Sequence, residues 1–382
     1  MAKFEQYTKK DGTKAWMFQA YLGLHPITGK EVRTTRRGFE TKKEATLTLS
    51  KLQLEIEQNG FKKNKTYTYN DLYLLWLELY KNTVKESTFV KTKCIFNKHI
   101  LPHFGEKQID KIDIPHCQKG INLWLTKIKK YKVIMNYASK VFEYGITLGI
   151  INDNPTKKIT MPVRKENVTE EKEKNFYTKE ELLEFFTCLE KEGNKKIITF
   201  FRLLAFTGAR KGEILALTWN DIDLKKNTLK INKSLSRGEN ARLIIQTPKT
   251  KSSVRTISID PKTSSILKLW KNTQKEDYFR LGINTTVPNQ LIFSNIENSF
   301  LQPSKSRKWL LHIFDKYGLK EITTHGFRHT HCSLLFESGA SIQEVQDRLG
   351  HSDVQTTMNI YTHVTEQAKE QTADKFAKHV NF

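Results

Sequence analysis

The chain has 382 residues, enough for two or three domains at about 150 residues each. A hydrophobic share of 38% excludes a disordered protein, and a formal net charge of +23 (pI ≈ 9.6) points to a polyanionic partner. A membrane surface competes for that charge, but no apolar run is long enough to span a bilayer and the N-terminus lacks a signal-peptide core. Cys94, Cys117, Cys188 and Cys332 have no CxxC spacing, so they read as reduced thiols of a cytoplasmic protein, with no metal site and no disulfide framework.

Residues 1–60 read as a small α+β module. Asp11-Gly12 is a hairpin signal between strands near Phe4 to Tyr7 and Ala15 to Leu22. HPITGKE turns the chain into a third strand, Val32 to Arg37, and Thr41 with Glu44 boxes a helix whose apolar residues include Leu47, Leu54 and Ile56. Lys30, Arg33, Arg36 and Arg37 lie along or beside the third strand. A sheet with one basic face can enter a major groove; a solvated edge strand with protective charges fits the same residues.

Residues 66–160 read as all-α. LYLLWLELY follows Asp71, then come segments around Thr88 to His103, Gln118 to Ile128 and Lys132 to Leu148, before Asn154-Pro155 closes the block. Lys91, Lys93, Lys98, Lys129, Lys130, Lys132 and Lys140 sit among aromatics and aliphatics and give this domain a cationic side. For any one of these lysines a solvated helix face is the competing account. PVRKENVTEEKEKN (162–175) is charged and poor in large apolar groups, so a linker is placed at 161–175.

The last domain, 176–382, opens with a capping box at Thr178 and Glu181 and reads as mainly-α with a small antiparallel β-sheet. In FFRLLAFTGARKGEILALTW a helix breaks at Thr207-Gly208 and restarts at Arg210, where unpaired backbone N–H groups favour an anion. Glu213, one turn on, is placed to orient that arginine. Strands are expected at Thr228 to Ile231, Leu243 to Ile245 and Val254 to Ile259, which puts Lys251 at a β-hairpin tip; a solvated turn lysine is the plainer account.

In HGFRHTHCSLLFESGASIQEVQDRLGHSDVQTTMNIY (325–361), His325 and Arg328 share a helix face, which Leu334 and Leu335 would anchor. Gly339 ends that helix, Ser341 and Glu344 box the next, and Ile342, Val345 and Leu349 form its apolar stripe up to Gly350. His351 follows, and Ser352 with Gln355 boxes the segment carrying Tyr361. A phenol with a pKa near 10 is a poor nucleophile alone. Arginine forks that bind two phosphate oxygens, with a nearby base, make it useful against a phosphodiester. A packed bundle with surface histidines accounts for any one of these residues, but not for all together.

The ordered set Arg210, Lys251, His325-x-x-Arg328, His351 and Tyr361 resembles the active site of tyrosine recombinases, the lambda-type integrase family. TGARKGEIL, TKSSVRTISI, HGFRHTHCSLL and LGHSDVQTTMNIYTHV carry the likeness. More loosely, the whole chain is similar to three-domain integrases of Gram-positive phages and conjugative elements. The resemblance implies an arm-type DNA-binding domain at 1–60, a core-binding domain at 66–160 and a catalytic domain with a C-terminal tail at 176–382. It implies that Tyr361 attacks the scissile phosphate to give a 3′-phosphotyrosyl link, with Arg210 and Arg328 clamping non-bridging oxygens and His351 adding a hydrogen bond. Lys251 is then the general acid at the 5′-oxygen, His325 the proton acceptor, and Glu213 a structural support. No cofactor is implied, because the covalent ester stores the bond energy without ATP or metal. The implied partners are double-stranded DNA at core and arm-type sites and three further copies of the chain in a tetramer. An excisionase and host DNA-bending proteins are further partners such integrases use.

Three other readings compete. A DNA-binding regulator would share the charge but has no use for Tyr361 with both arginines. A type IB topoisomerase shares the phosphotyrosine step yet reseals the same strand, and the basic N-terminal module favours recombination between sites. A metallohydrolase built on His325, His329 and His331 lacks a supported acidic ligand.

Overall fold

The computed structural model describes residues 2–24, 29–59, 66–164, 175–248, 251–287, 289–355 and 357–358. They fall into two compact units, Met1–Asn82 with Lys93–Val163, and Thr83–Thr92 with Arg164–Phe382.

The first unit contains two separate cores. Strands β1 (Lys3–Thr8), β2 (Lys14–Leu24) and β3 (Glu31–Phe39) form an antiparallel meander. The β1–β2 turn closes as its sequence suggests: Gly12 takes φ +82°, and Asp11 Oδ1 accepts from the Thr13 backbone N–H at 3.0 Å. Helix α1 (Lys42–Asn59) covers one face through Ala45 and Leu49, packed on Phe18 and Ala20. Leu47 and Leu54, named among the apolar residues of this helix, are 51% and 55% exposed, because the buried face is the one that carries Ala45 and Leu49. The Thr41–Glu44 box forms by half: Thr41 Oγ1 accepts from the Glu44 N–H, but the Glu44 carboxylate takes the N–H of Glu40.

Helices α2 (Tyr69–Lys81), α3 (Glu86–Ile95), α4 (Leu101–Phe104), α5 (Ile114–Lys127) and α6 (Tyr131–Thr147) follow, with a π turn at Phe96–Ile100 between α3 and α4; residues 86–92 of α3 count with the second unit. A capping box between Thr68 and Asp71 starts α2, which buries Tyr69, Leu72, Tyr73 and Trp76, the spacing of one helix face. Helix α6 answers with Ile134, Met135, Ala138, Val141 and Phe142. A Cβ on Gly145 would sit 3.1 Å from Leu72 Cδ1, so any larger residue would oblige Leu72 to shift by a few tenths of an ångström where α2 meets α6.

The second unit holds α7 (Lys179–Lys191), α8 (Lys195–Thr207), α9 (Lys211–Leu215), α10 (Pro261–Arg280), α11 (Lys305–Tyr317), α12 (Gly326–Glu337) and α13 (Ile342–Leu349). The expected boxes Thr178–Glu181 and Ser341–Glu344 both close in full. Its core is aromatic: Phe185, Phe200, Phe201 and Phe327 are fully buried, and Phe201 meets Phe185 edge-on at 5.5 Å. Buried Arg202 ties α8 to the start of α10, donating to Asp260 (2.9 Å) and Thr263 (2.9 Å) and stacking on Phe206.

The small sheet is double. Strands β4 (Ile222–Asp223), β5 (Thr228–Ile231) and β8 (Arg255–Ser258) form one antiparallel sheet, β6 (Ser234–Arg237) and β7 (Leu243–Gln246) another. This corrects the hairpin expected at Lys251. Strands β7 and β8 flank it but do not pair with each other; β8 pairs with β5, and Lys251 opens a short 3-10 turn, Lys251–Ser253. Among the described residues no helix is long and apolar enough to cross a membrane.

Candidate active site

The site is built on a helix break. The apolar run of α8 ends at Thr207, and Gly208 caps it at φ +63°, giving its N–H to the Leu204 carbonyl at 3.2 Å. A Cβ at Gly208 would fall 2.5 Å from Leu349 Cδ2 and 2.7 Å from His331 Cδ2, so conformation and space both require glycine. Arg210 then N-caps α9. Its Nη1 donates to Glu213 Oε1 and its backbone N–H to Oε2, both at 2.9 Å. A second guanidinium, Arg255, donates through Nη2 to the same Oε2 at 3.0 Å. Burial pushes the Glu213 carboxyl up, but the Arg255 charge and hydrogen bond, then Arg210, outweigh it and hold the group below its ordinary value.

Arg328 enters from the first turn of α12 and is only 2% exposed. Its fork is aimed by main chain: Nη1 donates to the Gly208 carbonyl (2.8 Å) and Nη2 to that of Leu349 (2.9 Å). Burial first, then the Arg210 charge, pushes its pKa down to about 9, still high enough to stay cationic at neutral pH. Arg210 and Arg255 share the one carboxylate of Glu213, and Arg328, held by carbonyls, adds its charge beside them, which leaves two positive charges in excess around that buried group. His325, the N-cap of α12, lies at the open mouth beside them. Partial burial, then His329, Arg328 and Arg210, lower its pKa to about 4, so the ring is neutral at pH 7, though a weaker base than a free imidazole.

Helix α13 ends at Gly350 with φ +67°, and His351 follows. A Cβ on Gly350 would meet the Ser252 carbonyl at 2.8 Å, so this glycine lets the turn that carries Lys251 pack beside His351. The His351 ring is 7% exposed, with Nδ1 2.8 Å from Thr357 Oγ1. Burial and the Arg328 and Arg210 charges lower its pKa to about 3. If the Thr357 hydroxyl donates to Nδ1, the ring proton sits on Nε2, a neutral donor for an anion. The expected box between Ser352 and Gln355 is replaced: the Gln355 N–H goes to Asp353 Oδ1 at 3.0 Å.

The fold thus brings Arg210, Glu213, Arg328, His325 and His351 together and sets the Lys251–Ser253 turn beside them, while Tyr361 lies outside the described residues. The other basic candidates divide. On β3, Arg33 pairs with Tyr21 and Arg37 with Met17 on the face opposite α1, but Arg36 pairs with Phe18 on the α1 side. The expected single basic face therefore holds Arg33 and Arg37 and not Arg36, since neighbouring strand residues alternate. Arg33 also pairs with exposed Glu31 at 3.0 Å, and Lys30 is exposed. Lys91 and Lys93 are exposed on α3, and Lys140 on α6 reaches over Tyr137 and Tyr80 at 5.3 and 5.7 Å.

Sequence reasoning missed two supports. Arg255 is one, although an arginine on the same strand phase as Ile257 was the available signal. Arg348 is another: its Nη2 donates to the Phe206 (3.0 Å) and Ser258 (3.2 Å) carbonyls. His331, which the sequence favours as a packing or supporting residue over a metal ligand, is a further support. Its Nδ1–H donates to the Ala205 carbonyl at 2.8 Å and its Nε2 accepts from Arg348 Nε at 3.0 Å, which joins α12, α8 and α13.

Three family models match the chain: the phage integrase family over residues 175–368, the N-terminal SAM-like domain of phage integrases over 68–125, and an arm DNA-binding domain over 4–56. The chain is 31% identical over 358 residues to the ICEBs1 integrase of Bacillus subtilis (strain 168), covering 93% of this chain and 94% of that one. It is 28% identical over 356 residues to the integrase of Staphylococcus phage L54a, covering 86% and 98%. Among solved structures, the Tn1549 transposon integrase in complex with transposon right end DNA superposes with a TM-score of 0.67 at 19% identity, over 80% of this chain and 100% of that one. A lambda integrase dimer bound to a COC′ core site gives 0.56 at 17%, over 93% of each. Those two likenesses are of fold.

Proposed function

The chain belongs to the phage integrase family, and on that premise we propose how its residues share the work of cutting and rejoining DNA. It is a tyrosine site-specific recombinase, which integrates or excises a mobile element through a 3′-phosphotyrosine intermediate. In our reading the Tyr361 oxygen attacks the scissile phosphorus while His325, neutral at its low pKa, accepts the phenolic proton. Arg210 and Arg328 hold the non-bridging oxygens, and His351 Nε2–H donates a third bond. Lys251 protonates the departing 5′-oxygen. Glu213 orients Arg210. The ester keeps the energy of the broken bond, so a 5′-hydroxyl from a second strand can reverse the step without ATP or metal.

The observation that carries this reading is the uncompensated charge: three guanidinium groups around one buried carboxylate, with Arg210 held by Glu213, Arg328 by main-chain carbonyls and Arg255 by both. Such preorganised donors stabilise a developing phosphorane charge without reorganising. We assign 1–60 to arm-type sites, 66–160 to core sites, 161–175 to a linker and 176–382 to catalysis. The working form is a homotetramer on two duplexes in the bacterial cytoplasm, with an excisionase and DNA-bending proteins as accessory partners.

A suicide substrate that traps the covalent intermediate tests the assignment. Tyr361→Phe should bind core-site DNA as the native chain does and form no protein–DNA adduct. Persisting adducts would remove Tyr361 from its role.

A further inference from the structure

Strand β8 alternates between buried and exposed, and Arg255 occupies the same inward phase as Ile257, with 9% of its surface exposed. Taking such a charge out of water is tolerated where its donors are met. Arg255 meets acceptors from three separate segments. Nη2 donates to Glu213 Oε2 at 3.0 Å, Nε to the Arg348 carbonyl at 2.9 Å, and Nη1 to the Ser253 carbonyl at 3.2 Å. Glu213 in turn holds Arg210, Arg348 lies just before His351, and Ser253 closes the turn that Lys251 opens. One planar fork therefore fastens the segments that carry three of the residues assigned above.

We propose that Arg255 is a positioning residue, which fixes the Lys251–Ser253 turn against Glu213–Arg210 and against the end of α13, so that the proton donor and the anion clamp meet one phosphodiester. The inference rests on the reading of Lys251 as the general acid. In that step the Tyr361 Oη–phosphorus bond forms, the phosphorus–O5′ bond breaks, and a Lys251 ammonium proton passes to O5′ to leave a hydroxyl. If a 5′-bridging sulfur replaces O5′, it departs as a thiolate and needs no proton.

Arg255→Lys in the full chain keeps a positive charge beside Glu213, but an ammonium cannot reproduce the planar fork toward three acceptors. Adduct formation is measured on suicide substrates with ordinary and 5′-bridging phosphorothiolate linkages, alongside Lys251→Ala. Arg255→Lys should bind core DNA normally, cleave the ordinary linkage roughly 100-fold more slowly, and recover most of the lost rate on the sulfur linkage. Wild-type cleavage of the ordinary linkage, or an equal deficit on both linkages while Lys251→Ala is rescued, would overturn this inference alone. Failure of the sulfur linkage to rescue Lys251→Ala would instead overturn the general-acid reading beneath it. If the lysine variant loses cooperative melting, Arg255→Gln, which retains a planar donor, takes its place with the same comparison.

Discussion

Acid should loosen the second unit through His331, by an amount the geometry sets. The ring is held neutral between the Ala205 carbonyl and Arg348 Nε, and burial, then the Arg348 charge, push its pKa down to about 3. In the unfolded chain the ring returns to about 6.5. Between those two values the unfolded state binds more protons, so stability rises with pH and is lost as pH falls from about 6.5 toward 3. At pH 5 the unfolded ring is almost wholly protonated and the folded ring is not, which gives a loss of ~2 kcal/mol relative to pH 7. His331→Gln isolates that share, since an amide can donate to Ala205 and accept from Arg348 but does not titrate. Urea unfolding at pH 7 and pH 5, followed by fluorescence of Trp219, Trp270 and Trp309, gives both slopes. The native chain should lose about 2 kcal/mol more than the variant over this interval. The depressed pKa of His351 is common to both proteins and cancels. Parallel losses would show that His331 is not the neutral bridge its contacts describe.

Two further outcomes follow from geometry already given. Gly208→Ala combines a left-handed backbone with contacts at 2.5 and 2.7 Å, so it should cost about 2–4 kcal/mol and slow adduct formation; an unchanged melting temperature and rate would contradict the packing at the α8 break. Deleting residues 1–60 should abolish high-affinity arm-site binding in a gel-shift assay and leave core-site cleavage in place, whereas equal arm binding by the shortened chain would clear β3 of that role.

The placement of Arg210 and His351 was legible because each stands beside a local stop or start: Gly208 before Arg210, Gly350 before His351, the Ser341–Glu344 box between them. Pairing was not legible. The alternation in Val254 to Ile259 announces a strand, but nothing local says that its partner is β5 and not β7, so a hairpin was expected where there is a turn between sheets. Arg36 was grouped with Arg33 and Arg37 because composition ignores the two-residue period that separates their faces. Arg255 was overlooked for a related reason. An arginine in a strand reads as surface until its phase is compared with Ile257, and its worth depends on Ser253, Glu213 and Arg348, which only the folded chain brings within reach. Domain boundaries were read from linker composition, and residues 165–174 of that linker lie outside those described.

Because the two hydrogen bonds that orient Arg328 end on the carbonyls of Gly208 and Leu349, its bearing is inherited from backbone that any sequence with the same loops would supply. Neighbouring side chains can change in identity without swinging the guanidinium, so its aim is uncoupled from the chemistry of the side chains around it. The same arrangement limits redesign: a lysine at 328 has no second arm to grip the other loop, and the pocket would lose its compass before it lost its charge.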